Sequence, residues 1–267
     1  MKLNAAAEER PELRYERHRR RPDRLNNSPR RTYDLLRSVL ISAGTGMPLI
    51  EHELTDALSA SRNTVRTVLR QLAREGIVTR GPRNGTRAAH SVMLPINELT
   101  PVAQFSEATV SGETTRVHTL ECRMVGRPRL VCDRLRLPEG CTVLMVESLV
   151  MQDECTLGVA VNYIALSEDE SATFRVAEPD VILILEQQLG IRIGFSHTTV
   201  AAIAADEQSA ELMGVKIGAP LIWLEDLIED CNGQPRALSQ LRLRGDRFTF
   251  SASAHRANGG TAGVATA

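Results

Sequence analysis

The sequence predicts an α+β protein in two parts, a helical first third and a β-rich remainder. Three observations predict it. Between about Tyr33 and Leu72, apolar residues recur at helical spacing. From Arg116 onward, short apolar–polar alternations are separated by turn sequences. Charge divides near the same boundary. Residues 1–92 hold 18 Lys/Arg against 10 Asp/Glu, a balance of +8, and residues 93–267 hold 14 against 23, a balance of −9. A basic segment joined to an acidic one points to a polyanion as the partner of the first part only.

The opening stretch, "MKLNAAAEERPELRYERHRRRPD", lacks the apolar core of a secretory signal. Its arginines (Arg19, Arg20, Arg21 and Arg24) make residues 1–29 a basic disordered arm, adding non-specific charge. The first helix is expected over about Tyr33–Ala43 with Leu36, Val39 and Leu40 inward, and the second over Glu51–Leu58 with Leu54 and Leu58 inward. The third lies in "SRNTVRTVLRQLAREG". Ser61 is a natural N-cap, and Val65, Val68, Leu69 and Leu72 make one apolar face that Gly76 ends. Arg62, Arg66, Arg70 and Arg74 recur every fourth residue, so they form a stripe away from that face.

Ile77–Arg80 and Arg87–Ser91 are then expected to pair across "GPRNGT", whose Pro, Gly and Asn suit a hairpin tip. Three helices and a two-stranded wing over residues 30–92 make a winged helix-turn-helix. Such a fold lays the start of its recognition helix in the DNA major groove. Arg62, Asn63, Thr64 and Arg66 would face base edges and phosphates, with Arg70 behind them and Arg83 on the wing. Arginine suits guanine and asparagine suits adenine, each through two hydrogen bonds.

Residues 93–104 carry Pro95 and Pro101 without a clear period and are expected to be a linker. Strands are expected over Arg116–Val125, Thr142–Met151, Thr156–Ala165, Ile191–Ala204, Pro220–Asp230, Arg236–Arg244 and Arg247–Ser251. Asp180–Leu189 and Asp206–Met213 are expected helices ended by Gly190 and Gly214, and "CNGQP" is a hairpin turn. Residues 252–267, small and glycine-rich, are expected to be a disordered tail. With aromatics at only 3%, the core must rest on aliphatic side chains.

Five cysteines without a CxxC pair are expected as reduced thiols in a cytoplasm, with no metal site, and the four nearest the sheet as small core residues. No apolar run reaches the roughly 18 residues of a membrane helix. No nucleophile elbow, P-loop or paired carboxylates appear, so no catalytic residues and no cofactor are expected. His197, beside Phe195, is expected to be structural.

"EHELTDALSASRNTVRTVLRQLAREGIVTRGPRNGT" resembles the DNA-binding domain of the GntR superfamily of bacterial transcription regulators. By that resemblance Arg62, Thr64, Arg66 and the wing around Asn84 and Gly85 correspond to DNA contacts. His52 stands where the family carries a contacting arginine, and Ser59 replaces the glycine before the recognition helix. "GAPLIWLEDLIEDCNGQP" and "RGDRFTF" resemble the UTRA effector domain of the HutC-type branch. The resemblance implies a chorismate-lyase-like antiparallel sheet over residues 105–251, homodimerisation through it and a small-molecule pocket. "ESLV" replaces the family's "ERLR", so Ser148 and Val150 stand where arginines hold a phosphate or carboxylate, and Asn162 stands where a glutamate is usual. The effector is therefore expected to carry less charge than a sugar phosphate. Arg116 or Arg242 would supply an anion contact, with Thr114, Tyr163 and Gln240 as further candidates. The expected function is a cytoplasmic, dimeric, ligand-responsive transcription repressor on an inverted-repeat operator. The alternative is a constitutive DNA binder with a non-functional pocket.

Overall fold

The computed structural model describes residues 28–42, 46–81, 85–89, 92–96, 99, 101, 115–126, 129–138, 142–167, 170–171, 174 and 179–253. All but residues 28–29 of the expected arm, all but residues 252–253 of the expected tail, half of the expected linker, and Arg83, Asn84 and Thr114 lie outside them. The chain divides into two compact units, the first built mainly on residues up to 92 and the second on residues 114–243.

The first unit contains α1 (Pro29–Ser42), α2 (Glu51–Ala57), α3 (Arg62–Arg74), β1 (Val78–Gly81) and β2 (Gly85–Ala88). Leu36, Leu40, Leu58, Val65, Leu69 and Leu72 share one buried cluster, which is what the helical periodicity required. Val39, expected inward, is 44% exposed. One helical turn places it past the edge of the face that Leu36 and Leu40 define. Tyr33 joins α1 to the end of α3, donating its hydroxyl to Glu75 and accepting from Arg37. Burial, reinforced by the bond to Glu75, pushes its phenol pKa up. The wing is a regular antiparallel pair with Val78 opposite Ala88 and Gly81 opposite Gly85.

The second unit is a six-stranded sheet. Its strands are β4 (Thr115–Gly126), β5 (Thr142–Gln152), β6 (Cys155–Ile164), β7 (Ile193–Ala204), β8 (Pro220–Asp230) and β9 (Pro235–Arg244). They lie in the order β4-β5-β6-β9-β8-β7, so β4 and β7 are the edges. Alternation within each strand gives the sheet two buried faces. One face packs Leu144, Val146, Ile164 and Ile228 beneath Ile182, Ile184 and Leu185 of a helical turn, Val181–Leu183, that widens into a π-helical turn, Ile184–Gln188. The other packs Val159 and Leu221 beneath Ala210 and Met213 of a short helix, Glu207–Met213, capped by Asp206.

Two elements were missed by the alternation pattern. Residues Val92–Pro95, expected as linker, form β3, which pairs with the final strand β10 (Phe248–Ser251). Arg129–Arg134 forms a short helix that brings Arg134, and Arg136 just beyond its end, to carboxylates of the sheet. The cysteine expectation also needs correction. Cys122 and Cys231 are exposed free thiols, and Cys132 is disulfide-bonded. Among the described residues no helix is long and apolar enough to cross a membrane.

Candidate nucleic-acid interface and effector cavity

The turn into α3 is built by local hydrogen bonding. Ser59 N–H donates to the Asp56 carbonyl and Ala60 N–H to the Thr55 carbonyl, which closes α2. That closure requires a left-handed residue, and Ser59 supplies it at φ 47°. Two residues later the Ser61 hydroxyl accepts from Thr64 N–H at 3.1 Å and caps α3.

The first turn of α3 separates the expected DNA contacts. Arg62 and Asn63 are exposed and have no hydrogen bond or ion pair among the described residues. Thr64 is only 9% exposed, and its hydroxyl lies 2.8 Å from that of Ser61, so it belongs to the cap. Arg66 donates Nε–H to Glu51 at 2.7 Å, and Arg80 on β1 approaches the other oxygen of the same carboxylate at 3.7 Å. Arg70 donates to the Arg66 carbonyl and to Thr67. His52 is exposed on α2, and Gly85 opens β2 at φ 67° with free space around it. Arg80 and Glu51 were not expected from the sequence. Their meeting depends on the wing folding back beside α2.

The expected effector residues divide between places. Ser148 and Asn162 are buried on the sheet face beneath the π-helical turn, where Ser239 donates its hydroxyl to Asn162 Oδ1 at 2.7 Å. Arg116 sits on edge strand β4, exposed and 3.5 Å from Glu154. Tyr163 packs with Leu135, Val143 and Leu238. Gln240 and Arg242 alone among the described candidates line a cavity, of about 240 Å³, on the face beneath the short helix. Val159, Val161 and Glu147 form its floor with them, Ser209 and Leu212 come from the helix, and Trp223 comes from β8.

Arg242 is not open to an anion as expected. Its Nη1 donates to Asp206 and, at 2.7 Å, to Ser209. Asp206 also accepts from Ser209 N–H, and these bonds with the nearby guanidinium hold its carboxyl below the usual aspartate range. Gln240 donates to Glu225 at 2.8 Å, and Glu225 accepts from Arg134 at 2.7 Å. On the opposite face Asp226 accepts from Ser196 and Thr198, and burial pushes its carboxyl up despite those bonds. Glu147, Trp223, Glu225 and Arg134 were all missed. The single tryptophan in a strand was the one available signal.

A capped helix that presents unpaired arginine and asparagine, preceded by a tight turn and followed by a hairpin wing, defines a winged helix-turn-helix DNA-binding unit. The chain matches the description "Bacterial regulatory proteins, gntR family" over residues 30–87 and the UTRA domain over residues 111–249. It belongs to the GntR-family transcription regulators that carry a UTRA domain, and it is a regulator, not an enzyme. It is 24% identical, over 83% of its length and 90% of the relative's, to a probable fructoselysine utilization operon transcriptional repressor of Shigella flexneri. An HTH-type transcriptional regulator of Mycobacterium tuberculosis is 25% identical over 75% of each chain. The crystal structure of PhnF from Mycobacterium smegmatis shares the fold at a TM-score of 0.58 and 21% identity, covering 84% of this chain and 99% of that one.

Proposed function

We propose that the protein is a cytoplasmic repressor that binds an inverted-repeat operator as a homodimer and changes its affinity when a small metabolite occupies the second unit. The observation that carries the reading is the pair Arg62 and Asn63, exposed and unpaired on the first turn of a capped helix. Relatives named as repressors support the sign of regulation. Dimerisation is supported by edge strand β7, twelve residues without Lys, Arg, Asp or Glu, on which Phe195 is 57% exposed. A long uncharged edge is a template for a second strand, and soluble proteins usually blunt such edges with charge. Two copies related by a twofold axis would present two recognition helices, hence two half-sites.

The test is footprinting on DNA selected from random sequence, with the stoichiometry of the complex measured alongside. The expected result is a protected inverted repeat with half-sites about one helical turn apart, bound by two chains. A single half-site bound by one chain overturns the dimeric reading. The alternative of a constitutive binder is favoured by one observation: Arg116 and Arg242, the expected anion contacts, are each engaged by a carboxylate. Metabolites that shift operator affinity by about 5- to 150-fold exclude it.

A further inference from the structure

One row of residues crosses the second unit's sheet beneath the short helix. Glu121 on β4 pairs with Glu147 on β5, Glu147 with Val161 on β6, and Val161 with Gln240 on β9. Gln240 donates to Glu225 on β8, which pairs in turn with Thr199 on β7. Three carboxylates therefore lie along one line. Two are matched by cations, Glu121 by Arg123 and Glu225 by Arg134 at 2.7 Å. Glu147, half-buried on the cavity floor, has no hydrogen bond or ion pair among the described residues. It stands directly opposite Glu121, an arrangement of like charges that a sheet does not favour without a cation.

The remaining walls add to the requirement. Trp223 lines the same cavity, and an indole face attracts cations within about 6 Å of its centre. At the far side Arg242 spends Nη1 on Asp206 and Ser209, which leaves its other N–H groups for a neutral oxygen. A volume of about 240 Å³ lies just below the roughly 300–1,000 Å³ usual for drug-sized sites. The occupant is thus compact, about the size of an amino acid.

We propose that this cavity binds a small ammonium-bearing metabolite, its cationic nitrogen against Glu147 and Trp223 and an oxygen-bearing end toward Gln240 and Arg242. The proposal rests on the reading of the second unit as a sensor and names the chemistry of its ligand. It replaces the expectation of an anion held by arginine. An ammonium supplies the charge that the acidic row lacks. A phosphate or carboxylate alone would meet Glu147 as a like charge in a partly desolvated site.

Trp223 is the chain's only tryptophan, so its emission reports on the cavity directly. The experiment titrates the full-length protein with ethanolamine, putrescine, L-lysine and serinol, and with a hydroxyl and a carboxylate counterpart of each. The expected result is that at least one amine shifts the emission saturably and binds about tenfold or more tighter than its counterparts. Glu147→Gln, which keeps the shape, is expected to abolish that preference while the melting temperature stays near that of the parent. Counterparts that bind as well as amines, amine binding indifferent to Glu147→Gln, or no binding by any amine each overturn the proposal. Operator affinity is measured separately with the same compounds. An amine that binds in the cavity without altering operator affinity leaves the site standing and removes the sensor reading. A non-amine that alters operator affinity does the reverse.

Discussion

The recognition helix and the cavity differ in the charge that each leaves unmatched. Around α3, Glu51 takes both Arg66 and Arg80, and Glu75 takes Arg37, so much of the positive charge is spent inside the unit. Arg62 is left over on the exposed first turn. Around the cavity the bookkeeping runs the other way. Arg134 is taken by Glu225 and Arg242 by Asp206, and the group left over is the carboxylate Glu147. The density of charge therefore says less about a partner than the charge that remains after internal pairing. The stripe of four arginines looks uniform in sequence, yet its members have separate duties. Among the described residues Arg62 and Arg74 have no partner, Arg66 is held by a carboxylate, and Arg70 bonds to the helix itself.

Removing the unmatched charge of Arg62 has the greatest consequence for DNA binding. With no internal partner to lose, Arg62→Ala is expected to leave stability unchanged within about 0.5 kcal/mol, as for an ordinary surface substitution. Operator discrimination is expected to fall by about 1–3 kcal/mol, the usual worth of a bidentate base contact. Binding to operator and to random DNA, titrated at one salt concentration, checks it. Equal losses on both DNAs would make Arg62 a phosphate contact and remove its role in reading sequence.

The next effect has the opposite sign and concerns a third kind of unmatched charge. Among the described residues Asp226 has no cation beside it and is served by the hydroxyls of Ser196 and Thr198. Burial, the largest influence, raises its pKa above the ordinary 3.8. The folded state therefore holds this proton more tightly than the unfolded chain does. The stabilisation it brings is complete below the unfolded value and is lost as pH rises through the folded value. Asp226→Asn keeps an oxygen for both hydroxyls and removes the charge. It is expected to raise the melting temperature at pH 7 and to leave it unchanged below about pH 3.8, where both states of the parent are protonated. A lower melting temperature at pH 7 would show that the carboxylate is stabilised in the folded protein after all.

The two units were also unequally legible in the sequence. The winged helix-turn-helix is local: a cap, a 3.6-residue period and a glycine stop lie within sixteen residues of one another, so α3 could be read directly. The strands of the second unit were legible too, and Pro220–Asp230 runs as expected. Its cavity was not. Whether Ser148 or Glu147 faces the cavity depends on strand parity relative to the helix that covers each face, and the two residues are neighbours in sequence. Gln240 meets Glu225 through strand order, and Arg134 reaches Glu225 from a six-residue helix that the alternation pattern did not reveal. The β3 strand was hidden for a different reason. Its partner, β10, lies more than 150 residues further along the chain.

A smaller change in stability is expected at the turn that aims Arg62. Four of the described helices end in the same hydrogen-bond pattern, with a left-handed residue just past the last turn. Gly76 closes α3 at φ 76° and Gly214 closes the short helix at φ 61°, but Ser59 closes α2 at φ 47° and Arg136 closes the Arg129–Arg134 helix at φ 53°. A side chain in that conformation costs roughly 1–2 kcal/mol. Glycine avoids the cost but gives up more freedom on folding, which offsets part of the gain. Ser59→Gly is therefore expected to stabilise the first unit by at most about 1 kcal/mol, a rise of a few degrees in melting temperature for a unit of this size. Because Ser61 still caps α3 and Arg62 keeps its place, sequence preference on DNA is expected to be unchanged. Thermal melting and operator titration of the same variant check both halves. A loss of stability would mean that the Ser59 side chain makes a contact worth more than the strain. A loss of sequence preference at unchanged stability would mean that the strained turn itself sets the angle at which Arg62 enters the groove.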